Sequence, residues 1–313
     1  MNDEIIKQRY NLALNRFAHC RAHNPITHEL VCRMFSKRPA DSYKGSCGRL
    51  FVCAGSTGLT GAAIMACQSA LRCGCGLVTL GCPESLNTIF EIRLTEVMTL
   101  PLQDKEGMLT HEAYSRILSK ASESDAVLFG PGIGRSDDIT QIFHRLIKEC
   151  TTPMVIDADG LYALSADPTV LKKASKPVIL TPHVGEFSRL IHKDTGYILK
   201  NQKALAAEFA FEHNVIIVLK SHQTVVASPD GEVYENILGS PAMATGGTGD
   251  VLSGAIASLA AQSKDMLQAA LAGVYVHSLA ADMATFETGE YSLIPSDIIE
   301  YIKYAVRETS YRT

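Results

Sequence analysis

The sequence predicts an α/β fold of three layers (αβα), with a mostly parallel central sheet covered by helices on both faces. Three observations carry this. Short, continuously apolar stretches of three to five residues recur between segments of helical periodicity, the pattern of strands buried on both faces. Four of those stretches run straight into loops rich in glycine or proline or carrying Asp and His, and in open α/β sheets ligands bind at the carboxyl ends of the strands. The 313 residues, 46% hydrophobic and 20% charged, are enough to bury one large core.

Taken in order, residues 3–23 predict an amphipathic helix with Ile6, Tyr10, Leu14 and Phe17 on one stripe, ended by Asn24-Pro25. Residues 27–34 suggest a second short helix, and 38–48 a polar connector. Strands are expected at 50–54, 77–80, 126–129, 154–156, 178–180 and 215–219. Helices are expected at 62–73, 84–90, 111–120, 137–149 and 199–213. A hairpin over 224–234 turns at Asp230-Gly231. A helix within 243–262 follows a glycine-rich turn, then a small-residue helix at 266–284, then a last helix from Pro295 or Ser296 to about Arg307. No internal repeat or low-complexity segment interrupts this order.

Composition narrows the function. The net charge is −4, and no Lys/Arg cluster is dense enough for a nucleic-acid surface. The charged N-terminus lacks a signal-peptide core, and no apolar run approaches the roughly 20 residues of a membrane span, so a cytoplasmic protein without membrane contact is expected. The nine cysteines lack paired zinc-ligand spacing and lie largely in apolar segments, which reads as reduced structural thiols and no protein-held metal.

The stretch MATGGTGDVLSGAIASLAAQ (243–262) organises the rest. Gly246, Gly247 and Gly249 let the main chain approach a ligand, and free N–H groups at a helix start suit a phosphate. Gly247, Thr248 and Gly249 are therefore phosphate-binding candidates. Asp250 puts a carboxylate beside that anion site; it is an N-cap, a base or a metal partner. Asp157 and Asp159 lean toward capping the helix at 161–164, the alternative being that one of them holds a metal or orients a substrate hydroxyl. His183 at a strand end is either satisfied locally or a ligand contact. Glu186 suits a helix start, and Lys220 either reaches a phosphate or marks a strand's exit to solvent.

The loops GSTGLTGAA (55–63), GPGIG (130–134), DADGL (157–161), TPHVGEF (181–187), K-x-x-x-T (220–224) and MATGGTGDVLSG (243–254) resemble, in the same order, those of the ADP/ATP-dependent NAD(P)H-hydrate dehydratases of the ribokinase-like superfamily. The resemblance covers about residues 27–307. It implies a ribokinase-like domain over 25–313, with 1–24 as a helical extension. It also implies a nucleotide repair reaction, in which ADP or ATP drives water from the S epimer of NAD(P)H hydrate and AMP (or ADP) and phosphate are released. By motif, Ala63, Gly134, His183 and Asp250 would contact the hydrated dinucleotide. Lys220, Ser221, His222, Gln223, Thr224 and Gly249 would contact the adenine nucleotide, with Mg²⁺ on its phosphates. The chemistry implied is phosphorylation of the ring hydroxyl with Asp250 as base, followed by expulsion of phosphate by the ring nitrogen. The sequence departs from the family at Ser221, where glycine is usual, and at Ser240, where asparagine is usual.

The resemblance further implies a separate NAD(P)H-hydrate epimerase as functional partner, since this chain has no room for a fused one. A stand-alone chain resembles the ADP-using form. No motif reports the oligomeric state; a homo-oligomer is expected. The rival readings are a ribokinase-like small-molecule kinase, which would release a phosphorylated product, and a nucleotide-sensing protein that binds without turnover.

Overall fold

The computed structural model describes residues 2–16 and 22–310. Phe17 and Cys20 lie outside the described residues. In chain order the elements are α1 (Asp3–Arg16), α2 (His28–Val31), β1 (Arg49–Cys53), α3 (Thr60–Arg72), β2 (Leu77–Pro83), α4 (Asn87–Arg93), β3 (Met98–Leu102), β4 (Asp104–Lys105), β5 (Met108–Leu109), α5 (Tyr114–Ser122), β6 (Ala126–Phe129), α6 (Asp137–Glu149), β7 (Met154–Ile156) and α7 (Asp159–Leu164). They continue with β8 (Val178–Leu180), α8 (Val184–Ile191), α9 (Thr195–Lys200), α10 (Gln202–His213), β9 (Ile216–Leu219), β10 (Val225–Ala227), β11 (Val233–Glu235), α11 (Thr248–Gln262), α12 (Met266–Thr288) and α13 (Pro295–Thr309).

The described residues form a nine-stranded sheet of order β11-β10-β9-β8-β7-β6-β1-β2-β3, parallel from β9 to β3 and closed by the antiparallel hairpin β10–β11. Both faces are buried, and alternation along each strand feeds two cores. Leu50, Val52, Leu128, Val155, Ile179 and Val218 face the core shared with α3, α11, α12 and α13. Phe51, Cys53, Val127, Phe129, Ile156, Leu180 and Leu219 face the one shared with α5, α6, α8 and α10. The expected three layers are what forms. From β1 the chain runs outward through β2 to β3, whereas β6 to β9 run the other way. The switch point between β1 and β6 therefore opens a crevice at the strands' carboxyl ends.

The structure amends the sequence reading in several places. The helix expected over 199–213 is broken: Asn201 leaves the helical region at φ −129°, ψ 24°, separating α9 from α10. Edge strand β3 and the small hairpin β4–β5 have no counterpart in the reading. Pro101 interrupts the apolar run of β3 and removes a ladder donor, which an edge strand tolerates. The expected first helix ends among the described residues at Arg16, while 24–26 pair along β11: Glu235 donates from its N–H to Asn24 O and accepts from Ile26 N–H, both at 2.9 Å. Helix α1 packs on α12 and α13 with Ile6 and Ala13 buried. Against expectation, α12 is long and apolar enough by length and composition to cross a membrane, but 94% of its apolar window is buried inside the protein, making it a core helix. All cysteines among the described residues are free thiols.

Candidate functional site

The crevice is bordered on one side by loops after β1 and β6, which knit to each other. Gly55 N–H donates to Pro131 O (3.0 Å), Gly130 N–H to Cys53 O (3.1 Å) and the buried Ser56 Oγ to Gly132 O (2.8 Å). The β4–β5 turn joins them, Thr57 bonding Glu106 O and Gly107 O through its hydroxyl and N–H. Gly130, at φ +126°, lies so close to Asp157 that a Cβ would fall 1.9 Å from its carbonyl oxygen. Ala63, at the start of α3, is fully buried, its Cβ facing Gly55. Gly134 is buried too, and its N–H donates to Asp159 Oδ2 at 3.1 Å.

The other side is charged. Lys220 follows β9, and Nζ donates to Asp157 Oδ1 at 2.8 Å and lies 3.9 Å from Glu186 Oε2. The Asp157 side chain is only 1% exposed, so the ammonium is the counter-ion that makes its burial tolerable. Lys220 also abuts α11: a Cβ on Gly249 would lie 3.2 Å from Nζ. Gly247, at φ +99°, takes the N-cap position of α11, and no side chain caps that helix. The first helical bond is Val251 N–H to Gly247 O, so the N–H groups of Thr248, Gly249 and Asp250 are those an anion would meet. Thr248 turns its hydroxyl back to the carbonyls of Met243 and Thr245.

Asp250 therefore stands in the first turn of α11 rather than capping it. Burial pushes its carboxyl up to about 7, with the charge of Asp157 adding to the rise and Lys220 opposing it. Burial likewise raises Glu186 to about 7, against the pull of Lys220. Lys220 itself is held above its ordinary value by Asp157 and Glu186, which outweigh its burial. Two carboxyl groups near neutrality facing one ammonium are suited to proton transfer at neutral pH.

The remaining expectations resolve by contact. Neither aspartate of DADGL caps: Asp157 binds Lys220, and Asp159 holds Gly134 N–H and Arg135 Nε (2.7 Å), with the guanidinium over the Tyr162 ring. Between them Ala158 sits at φ +50°, ψ −118°, a strained conformation for a residue with a Cβ. His183 caps a helix locally, while its side chain stays 55% exposed. Burial and the charges of Lys220 and Arg189 lower its pKa, and Nδ1 accepts from Gly185 and Glu186 N–H as the N-cap of α8, while Glu186 reaches back to His183 N–H at 2.8 Å. His222 is exposed, and Ser221, Gln223 and Thr224 are half-buried along the same segment. Ser240 lies 3.5 Å, oxygen to oxygen, from Thr285.

Sequence reasoning did not select Asp157, Asp159 or Glu186 as site residues, although DADGL and TPHVGEF at strand ends were the available signal. It missed His277 altogether. That imidazole is buried on α12 beside the Thr248 carbonyl, pushed down to about 4 chiefly by burial, and its Nε2 meets no hydrogen-bond partner among the described residues. Nothing in the apolar pattern of α12 marks it.

No set of three or more His, Cys, Asp or Glu that could cage a metal occurs among the described residues. Asp157 and Glu186 are buried and already engaged by Lys220 and His183 N–H, so a Mg²⁺ here would have to arrive on phosphate oxygens and keep much of its water.

Comparison with known proteins gives a consistent set of relatives. The sequence profile described as NAD(P)H-hydrate dehydratase matches residues 50–304. A bifunctional NAD(P)H-hydrate repair enzyme of Moorella thermoacetica is 36% identical over 304 residues, 97% of this chain and 55% of that protein. The chain thus spans about half the length of such bifunctional relatives. An ADP-dependent (S)-NAD(P)H-hydrate dehydratase of Bacillus subtilis is 32% identical over 279 residues, covering 88% of this chain and 95% of the relative. The crystal structure of a B. subtilis ADP/ATP-dependent NAD(P)H-hydrate dehydratase, co-crystallized with ATP/Mg²⁺, superposes with a TM-score of 0.79 at 28% identity, covering 92% of this chain and 99% of that one.

Proposed function

We propose, from the premise that this chain belongs to the NAD(P)H-hydrate dehydratase family, that it catalyses the ADP- or ATP-dependent dehydration of the S epimer of NAD(P)H hydrate, releasing AMP or ADP and phosphate. The observation that carries the reading is the Asp250 carboxyl, raised to about 7 in the uncapped first turn of α11 and facing Lys220.

In this reading Asp250 takes the proton of the ring hydroxyl as that oxygen attacks the terminal phosphoryl group, a step to which a positioned base contributes typically about 10²–10⁴-fold. The N–H groups of Thr248, Gly249 and Asp250, with the Lys220 ammonium beside Gly249, hold the charge on the transferring group. The ring nitrogen lone pair then expels phosphate, and loss of a neighbouring ring proton restores the reduced nicotinamide. If Mg²⁺ accompanies the nucleotide, it would supply neutralisation of phosphate charge. Residues 220–224 and Gly249 meet the adenine nucleotide. His183 offers its exposed ring edge to the dinucleotide, while Ala63 and Gly134, both buried, shape that pocket from beneath its surface.

The proposal extends to a homo-oligomeric cytoplasmic enzyme with residues 25–313 as its catalytic domain, 1–24 as an extension and a separate NAD(P)H-hydrate epimerase as functional partner. Free buried thiols suit a reducing compartment. The test is recovery of reduced-nicotinamide absorbance from NADH hydrate with Mg²⁺ and ADP or ATP. Nucleotide-dependent recovery with stoichiometric phosphate release is expected; accumulation of a phosphorylated product would favour a small-molecule kinase instead.

A further inference from the structure

The break between α9 and α10 has a chemical consequence. Because Asn201 leaves the helical region, Gln202 becomes the first residue of α10, whose axis packs on β9 and β10. Its side chain turns toward the segment that leaves β9. Gln202 Nε2 donates back to Leu199 O at 3.3 Å, which orients the other end of the amide, and Oε1 accepts from Ser221 Oγ at 2.8 Å. The same hydroxyl lies 2.7 Å from Gln223 O, and it accepts from Gln223 N–H at 3.2 Å. One side-chain oxygen thereby closes the turn at 221–223, and one amide on a rigid helix fixes where that turn sits.

The rest of the segment is anchored at both ends. Lys220 N–H donates to Pro182 O and Thr224 O accepts from Asn236 N–H, each at 2.8 Å. Between those anchors, Gln202 holds Ser221 from outside the segment. We propose that Gln202 is a positioning residue for nucleotide binding: through Ser221 it preorganises residues 220–224 to receive the adenine nucleotide. This assignment rests on the proposed nucleotide role of that segment. The gain is the ordering cost avoided when the nucleotide binds, so it belongs to affinity and not to the chemical step.

The experiment is a double-mutant cycle on Gln202→Ala and Ser221→Ala, reading Kd for ADP and ATP by calorimetry alongside KM and kcat for NADH hydrate dehydration. Each single substitution is expected to weaken nucleotide binding by about three- to tenfold, the scale of one hydrogen bond between uncharged groups. For Gln202→Ala, kcat at saturating nucleotide and the melting temperature without nucleotide should match wild type. The double variant should be no weaker than the weaker single, because both remove the same contact. Multiplicative losses, or a Gln202→Ala protein with wild-type Kd, would overturn the assignment. Because Kd is read directly, wild-type protein that binds nucleotide but does not dehydrate the hydrate would defeat the dehydratase reading while the cycle still decides the role of Gln202.

Discussion

The two walls of the crevice are built on opposite terms. The wall after β1 and β6 is held by main-chain and hydroxyl hydrogen bonds, with Gly130 and Gly132 packed against neighbouring backbone. The wall of β7, β8, β9 and α11 gathers Asp157, Glu186 and Asp250 around one ammonium, and two of those carboxyls are raised to about 7. The first wall defines a shape at little electrostatic cost. The second stores unfavourable charge where a reaction needs a base, the usual arrangement in which a site sacrifices stability for reactivity. Substitutions should therefore separate by wall: on the charged side activity and stability can move in opposite directions, and on the neutral side they should fall together.

The sharpest test is Asp250→Asn. Turnover is expected to fall by about 10²–10⁴-fold or more, with nucleotide binding largely retained. Stability should move the other way. A folded-state pKa raised to about 7 means that stability is fully present below the unfolded carboxylate value and is lost as pH rises from there through about 7. The variant escapes this loss, so its melting temperature should exceed wild type at pH 8 and converge with it toward pH 4. A variant less stable than wild type at pH 8 would break the comparison.

Lys220→Met should be the most destabilising change on the charged wall. It leaves Asp157 buried without its counter-ion, a situation that typically costs about 3–5 kcal/mol, measurable by urea unfolding at pH 7. On the neutral wall, Gly130→Ala places a Cβ 1.9 Å from Asp157 O in a left-handed backbone, and overpacking of this kind costs about 1–3 kcal/mol. Its activity should decline only as its folded fraction and substrate KM dictate, with the pH profile unchanged. The smallest effect belongs to Glu186→Gln. The Glu186 charge helps raise Asp250, so its removal should shift the acid limb of the kcat/KM profile to lower pH. A shift to higher pH would remove Glu186 from the charged network.

Much of this molecule was legible in the sequence, unevenly across scales. The strands with both faces buried announced themselves as short apolar runs, and the loops after them by glycine, proline and acidic residues. Those are local properties. Strand β3 was not legible because Pro101 and Thr99 spoil its apolar pattern, and its pairing with β2 is what makes it a strand. The break at Asn201 was hidden because the flanking residues are ordinary helix formers. Asp157 was visible as an acid at a strand end, but its partner Lys220 is 63 residues away, and nothing in either segment names the other.

The sequence by itself determined the alternation of strand and helix, the phosphate-suited turn at Gly247–Asp250 and the order of the loops, since backbone freedom, apolar periodicity and turn chemistry act over a few neighbouring residues. Only the tertiary structure decided what those loops do to one another. It made Asp157 the counter-ion of Lys220, turned His183 into a helix cap, buried Ala63 and raised Asp250 toward neutrality. A pKa depends on dielectric and on charges a few ångströms away, and both exist only once distant strands lie side by side.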